Sequence, residues 1–92
     1  MRRFLIELEH EPSEEACKKA VETILTSGSH FMTNAEWGCE DNEHKCWILV
    51  DMDTKEEALS VVPPVYRHEA KITRVKRYSW DSINKAIKLG KY

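Results

Sequence analysis

The side chains able to do chemistry in this sequence are few. Those whose placement suggests a role are Glu7, three cysteines (Cys17, Cys39 and Cys46) and, of four histidines, His30 and His44. His30, Cys39, His44 and Cys46 have the ligand types of a transition-metal site, which uses three or four such groups. No Cys-x-x-Cys or His-x-x-x-His spacing organises them. Cys39 and His44 flank a polar, turn-like stretch and can approach each other, with Cys46 two residues further on. The competing reading is one buried thiol and two surface imidazoles. Cys39 beside His44 is also the one thiol with a base nearby, as nucleophilic catalysis requires. Cys17 falls on the apolar stripe of a helix and reads as core.

Glu7 sits in the run Arg3–Glu9, where Phe4, Ile6 and Leu8 alternate with Arg3, Leu5, Glu7 and Glu9. That period of two marks a strand with one buried face. A carboxylate on the other face of a central strand can shuttle a proton on an enol or lactone. It can equally pair with a basic residue of a neighbouring strand, Arg74 or Lys76. Trp37, Trp47 and Tyr66, with His30 and Glu36 as polar fixtures, could line a pocket for a small ligand. They could also be packing alone.

The elements that must position these groups follow from the same pattern. Ser13 caps a helix with Glu14 and Glu15 in its first turn and Ala16, Cys17, Ala20, Val21, Ile24 and Leu25 as its apolar stripe, closed by Gly28. His30 to Trp37 reads as a second strand, Gly38 to Glu43 as a hairpin loop, and His44 to Met52 as a third strand. The centre of that third strand, Cys46 to Val50, is apolar on both faces and calls for cover on both sides. Thr54 and Glu57 form a capping box for a short helix that Pro63-Pro64 stops. Ala70 to Tyr78 is a fourth strand, with a β-bulge predicted between Ile72 and Val75. Ser79 opens a last helix with Trp80, Ile83, Ala86 and Ile87 turned inward, ended by Gly90.

The order β-α-β-β-α-β plus a terminal helix predicts one α+β domain over 1–92. It is a ferredoxin-like antiparallel sheet with the first and third strands central and the helices on one face. The other face should carry Leu5, Glu7, Met32, Trp47 and Leu49. An apolar patch of that kind marks an interface, and a second copy is its simplest cover.

Composition narrows the classes. At 92 residues with 41% hydrophobic and 33% charged side chains, the sequence suits one small globular domain and excludes disordered and multidomain classes. No apolar run reaches the roughly 18 residues of a membrane helix, and Met1-Arg2-Arg3, leading into a short alternating stretch, reads as a strand and not as a signal peptide. With an odd number of cysteines and no such signal, reduced thiols and a cytoplasmic location are expected. Residues 1–60 hold 6 basic and 14 acidic side chains, and residues 61–92 hold 8 and 2, within a net charge of -2. That polarity reads as self-neutralisation within the fold. Lys71, Arg74, Lys76 and Arg77 with Tyr78 lack the stacking aromatics of an RNA-binding sheet, so nucleic acid is not the expected partner.

The chain resembles the dimeric α/β-barrel superfamily. Trp47-Ile48-Leu49-Val50-Asp51, Thr54 to Val62 and Pro63-Pro64 resemble the muconolactone-isomerase-like branch. Glu7 in Phe4-Leu5-Ile6-Glu7, the acidic Glu40-Asp41 and Ile72-Thr73-Arg74-Val75 resemble a family of small proteins that includes a nickel-binding member. The resemblance implies ferredoxin-like protomers paired sheet to sheet around a small pocket. The expected functions are, in order, a homodimeric small-ligand-binding module without a bound cofactor, a small isomerase-like enzyme using Glu7 on an enolisable acid, and a transition-metal-binding protein.

Overall fold

The computed structural model describes every residue except 28, 89, 91 and 92. Its strands are β1 (Arg2–Glu9), β2 (Glu36–Trp37), β3 (Lys45–Met52) and β4 (Ala70–Val75). Its helices are α1 (Glu14–Ser27), α2 (Lys55–Ser60) and α3 (Trp80–Lys88), and tight 3-10 segments occupy His30–Asn34, Cys39–Asp41 and Pro64–Glu69. The strands form one antiparallel sheet in the order β2-β3-β1-β4, so the first and third are central.

The alternation of β1 and β3 divides the sheet into two faces. Phe4, Ile6, Leu8, Cys46, Ile48 and Val50 are buried under α1 and α2, whose Ala20, Ile24 and Ala58 join Val61 and Val62 in the core. Caps fix where the helices begin. The Ala16 N–H donates to Ser13 Oγ at 3.0 Å, and the Glu57 N–H to Thr54 Oγ1 at 3.1 Å. The return arm of the predicted capping box lands one residue early, with Glu57 Oε2 accepting from the Asp53 N–H at 3.4 Å. As expected, α2 stops ahead of Pro63, and Gly90 sits at φ 66° beyond α3 with its N–H on Ile87 O.

Several expectations fail for physical reasons. His30 to Asn34 is a 3-10 turn capped by Ser29, not a strand, and only Glu36 and Trp37 pair with β3. Its tight winding turns Met32 into the core instead of onto the open face. No bulge interrupts β4, which pairs residue for residue with β1 from Ala70 to Val75 and ends there, short of Tyr78. Leu25 falls on the outer side of α1 and is exposed. On α3, Trp80 is 78% exposed and Ile87 60%. The helix therefore does not turn these two side chains inward. A radius of gyration of 16.0 Å exceeds the roughly 12 Å expected of a compact chain this long. Gly28 and the side chain of Ala86 lie outside what the structure describes. Among the described residues no helix is long and apolar enough to cross a membrane.

Candidate thiol and imidazole site

The site forms where the covered face of the sheet runs out. β1 and β3 pair with Arg2 opposite Met52 and Glu9 opposite Lys45. One step beyond the last pair, the His10 N–H donates to His44 O at 3.0 Å, so the two histidines stand opposite each other. Both continue the even-numbered, helix-covered side of their strands. Their rings meet edge to face with centroids 5.6 Å apart, and the ring of Trp37 lies 6.1 Å from that of His10.

The hairpin brings in the first thiol. Gly38 accepts from the Asp41 and Glu43 N–H groups, and Asn42 takes the left-handed conformation at φ 60°. A β-carbon at Gly38 would come within 2.8 Å of both Glu43 O and the Trp47 ring, so only glycine fits this fold-back. The turn lays Cys39 over the histidine pair, with His10 Nε2 3.2 Å from Cys39 Sγ. One ligand atom each from His10, Cys39 and His44 lies within 4.8 Å of the others, making these three a candidate metal-ligand set among the described residues. The second thiol comes from α1. Cys17 occupies the N-terminal end of the stripe that buries Ala20 and Ile24, and its Sγ lies 2.6 Å from Cys39 Sγ. All four side chains are partly buried.

Hydrogen bonds fix the orientation of both imidazoles. His10 Nδ1 faces the Glu11 carbonyl at 2.9 Å, and a carbonyl can only accept, so the proton sits on Nδ1 and the Nε2 lone pair faces the thiol. His44 Nε2 faces Asn42 Oδ1 at 3.1 Å, which leaves the proton there and a lone pair on Nδ1. That Nδ1 is buried and has no hydrogen-bond partner among the described residues. An outer carbonyl holding the far nitrogen of each ring is the usual support of a metal-bound histidine. The thiols form a relay, Cys17 S–H to Cys39 and Cys39 S–H to His10 Nε2.

Burial pushes the Cys39 thiol up to about 11, helped by its contact with Cys17. Burial also pushes Cys46 up to about 12, with the charge of Cys39 adding to it. Both are protonated near neutral pH, so a cation entering the site must displace protons.

The expected site residues scatter. Cys39 and His44 come together, while His30 is exposed beside Phe31 and far from chemistry. Cys46 lies inside the core, close enough to Cys39 to feel its charge. Glu36, Trp47 and Glu7 share the open face, where Trp47 Nε1 donates to Glu7 Oε1 at 3.0 Å. Lys71, not Arg74 or Lys76, is the basic residue opposite Glu7 in the β1–β4 ladder. Trp37 faces the other way, toward His10. Tyr66 lines an open cleft of about 610 Å³ with Glu9, His10, Lys19 and Glu69, separate from Trp47. The single chain thus does not gather Trp37, Trp47, Tyr66, His30 and Glu36 around one cavity.

His10 and Cys17 were missed. The signal for His10 was available, since pairing the first and third strands through their ends sets it opposite His44. Cys17 gave none, because a thiol on an apolar stripe looks the same whether it ends in core or at a ligand.

No family model matches this chain, and neither a curated protein nor a solved structure matches it.

Proposed function

We propose that the chain binds a soft divalent transition metal, with zinc the best fit, through His10, Cys17, Cys39 and His44. Two thiolates and two imidazoles are the donor set of tetrahedral zinc. The supporting observation is the convergence of the His10, Cys39 and His44 ligand atoms within 4.8 Å of one another, with Cys17 against Cys39. In tetrahedral zinc a nitrogen and a sulfur ligand sit about 3.5 Å apart, and His10 Nε2 and Cys39 Sγ are 3.2 Å apart. The metal would join the end of β1, the first turns of α1 and the β2–β3 hairpin. A domain this small gains most from such a tie.

Titration of the untagged, chelator-treated protein with zinc against a chromophoric competitor tests this. One ion per chain is expected, and cobalt in its place should give the intense visible bands of a tetrahedral thiolate site. His10→Ala and His44→Ala should each weaken binding at least tenfold, whereas His30→Ala should leave it unchanged. Sub-stoichiometric metal after reconstitution would end the proposal.

A second reading concerns the open face. The strand order supports a ferredoxin-like βαββαβ core of the dimeric α/β-barrel kind. Leu49 is 56% exposed in the middle of that face, beside half-buried Leu5 and Trp47. We infer a homodimer through the sheets, in the cytoplasm, with any small-ligand pocket closed by the second copy. Light scattering on a gel-filtration column should give twice the chain mass, and Leu49→Glu should return it to one. A wild-type monomer at micromolar concentration would overturn this.

A further inference from the structure

We propose that Cys17 and Cys39 form a modification site, an intrachain disulfide made by a hydroperoxide, and that this bond and a bound metal exclude each other. The first half stands on the sulfur geometry alone; the second rests on the metal reading above. The two thiols are 22 residues apart in the chain, yet their sulfurs are 2.6 Å from each other. A disulfide needs about 2.05 Å. Two thiolates on one tetrahedral zinc need about 3.8 Å, given a zinc–sulfur bond near 2.3 Å. The two sulfurs are adjacent, so a small movement of either side chain reaches each state, and each state prevents the other. Cys46 is excluded from the exchange because it is buried in the core under the sheet's covering helices.

The surroundings supply the rest of the chemistry. His10 Nε2 sits 3.2 Å from Cys39 Sγ with its lone pair toward the S–H, so it can take the thiol proton. The Cys39 sulfur then attacks the outer oxygen of the hydroperoxide. The O–O bond breaks, the alcohol leaves with the proton returned by His10, and Cys39 becomes a sulfenic acid. The Cys17 sulfur attacks the Cys39 sulfur, the S–O bond breaks, and water leaves with the Cys17 proton. Together the thiols give up two electrons and two protons, and the hydroperoxide becomes an alcohol and water. A small thiol reverses the bond by exchange.

The test uses the full, untagged chain, metal-free and zinc-loaded, each treated with one equivalent of hydrogen peroxide. Titratable thiols in denaturant should fall from three to one per chain. Peptide mapping without reductant should find Cys17 joined to Cys39, with the chain still single on a non-reducing gel. The zinc-loaded sample should release one ion per bond formed, read with a chromogenic chelator, and a phosphine reductant should restore zinc uptake. Cys46→Ser should behave like wild type. A bond to Cys46, cross-linked chains, or zinc retained on the disulfide form would overturn the proposal. Three thiols surviving excess peroxide in a chain that still binds zinc would overturn it while leaving the metal reading intact. A chain that takes up no zinc but forms the bond would sink the metal reading and the exclusion with it, and leave the disulfide standing.

Discussion

The two faces of the sheet are made by the same strands and live in different surroundings. On one, Phe4, Ile6, Leu8, Ile48 and Val50 are packed under helices, and the few polar groups that reach this side collect at its end as His10, Cys17, Cys39 and His44. On the other, Leu5, Trp47 and Leu49 alternate with Arg3, Glu7, Lys45, Asp51 and Lys71, and neighbours neutralise one another. Arg3 Nε lies 3.5 Å from Asp51, and Trp47 holds Glu7. The covered face has given up water and depends on fit. The open face keeps water and depends on pairing. A mutation of the same size should therefore cost very different amounts on the two sides.

The largest contrast is between Ile24 and Leu49. Ile24→Ala removes a fully buried side chain and should cost about 2–5 kcal/mol. Leu49→Ala should stay within about 0.5 kcal/mol in the single chain. Urea unfolding with an unchanged denaturant slope measures both, and equal losses would break the comparison.

Gly38→Ala comes next. Its new methyl group meets backbone and an indole ring at 2.8 Å, which should cost about 1–3 kcal/mol. The same change should push Cys39 off the histidine pair and weaken zinc binding more than it weakens the fold.

A third test is the response to alkali in the metal-free protein. The folded Cys39 thiol releases its proton near 11, against an ordinary value of 9.0. Below about pH 9 both folded and unfolded chains keep the proton and stability is flat with respect to this group. Above it the unfolded chain ionises first, so stability falls from pH 9 to about 11. Cys46, pushed to about 12, extends the decline in the same direction. Thermal melts from pH 7 to 11 should show a plateau and then a loss, and Cys39→Ser should shrink that loss. A rise in this range would refute the assignment.

Trp47→Phe should have a small effect, between those of Gly38→Ala and Leu49→Ala. It keeps the ring and removes the bond to Glu7, worth about 0.5–1.5 kcal/mol at most.

How much could be read in advance follows the same division. On β1 and β3 the covered face was legible residue by residue, because burial on one side of a strand leaves a period of two; the stripe of α1 was legible at Ala20 and Ile24 but not at Leu25, which is exposed. The caps at Ser13 and Thr54 and the central place of the first and third strands were legible too. Met32 and its neighbours were not. A 3-10 turn has no periodic signature long enough to separate it from a short strand, and His30 to Trp37 alternates well enough to pass for one. Trp80 and Ile87 of α3 misled for another reason: amphipathic spacing says that a face is apolar, not that anything covers it. Half of the candidate site was legible through Cys39 and His44, which lie close along the chain. The other half needed the pairing of strands and the packing of a helix, which spacing along a sequence does not encode.

The opposition of His10 and His44 has one more implication. The two rings meet only because β1 and β3 are aligned in a single frame, one of several that strands rich in apolar residues could adopt. Sliding either strand by one position would send an imidazole to the far side of the sheet. A cation that needs both rings is then a proofreader: it rewards the correctly threaded chain and ignores the slipped one, and its uptake during refolding would report the moment the ladder locks.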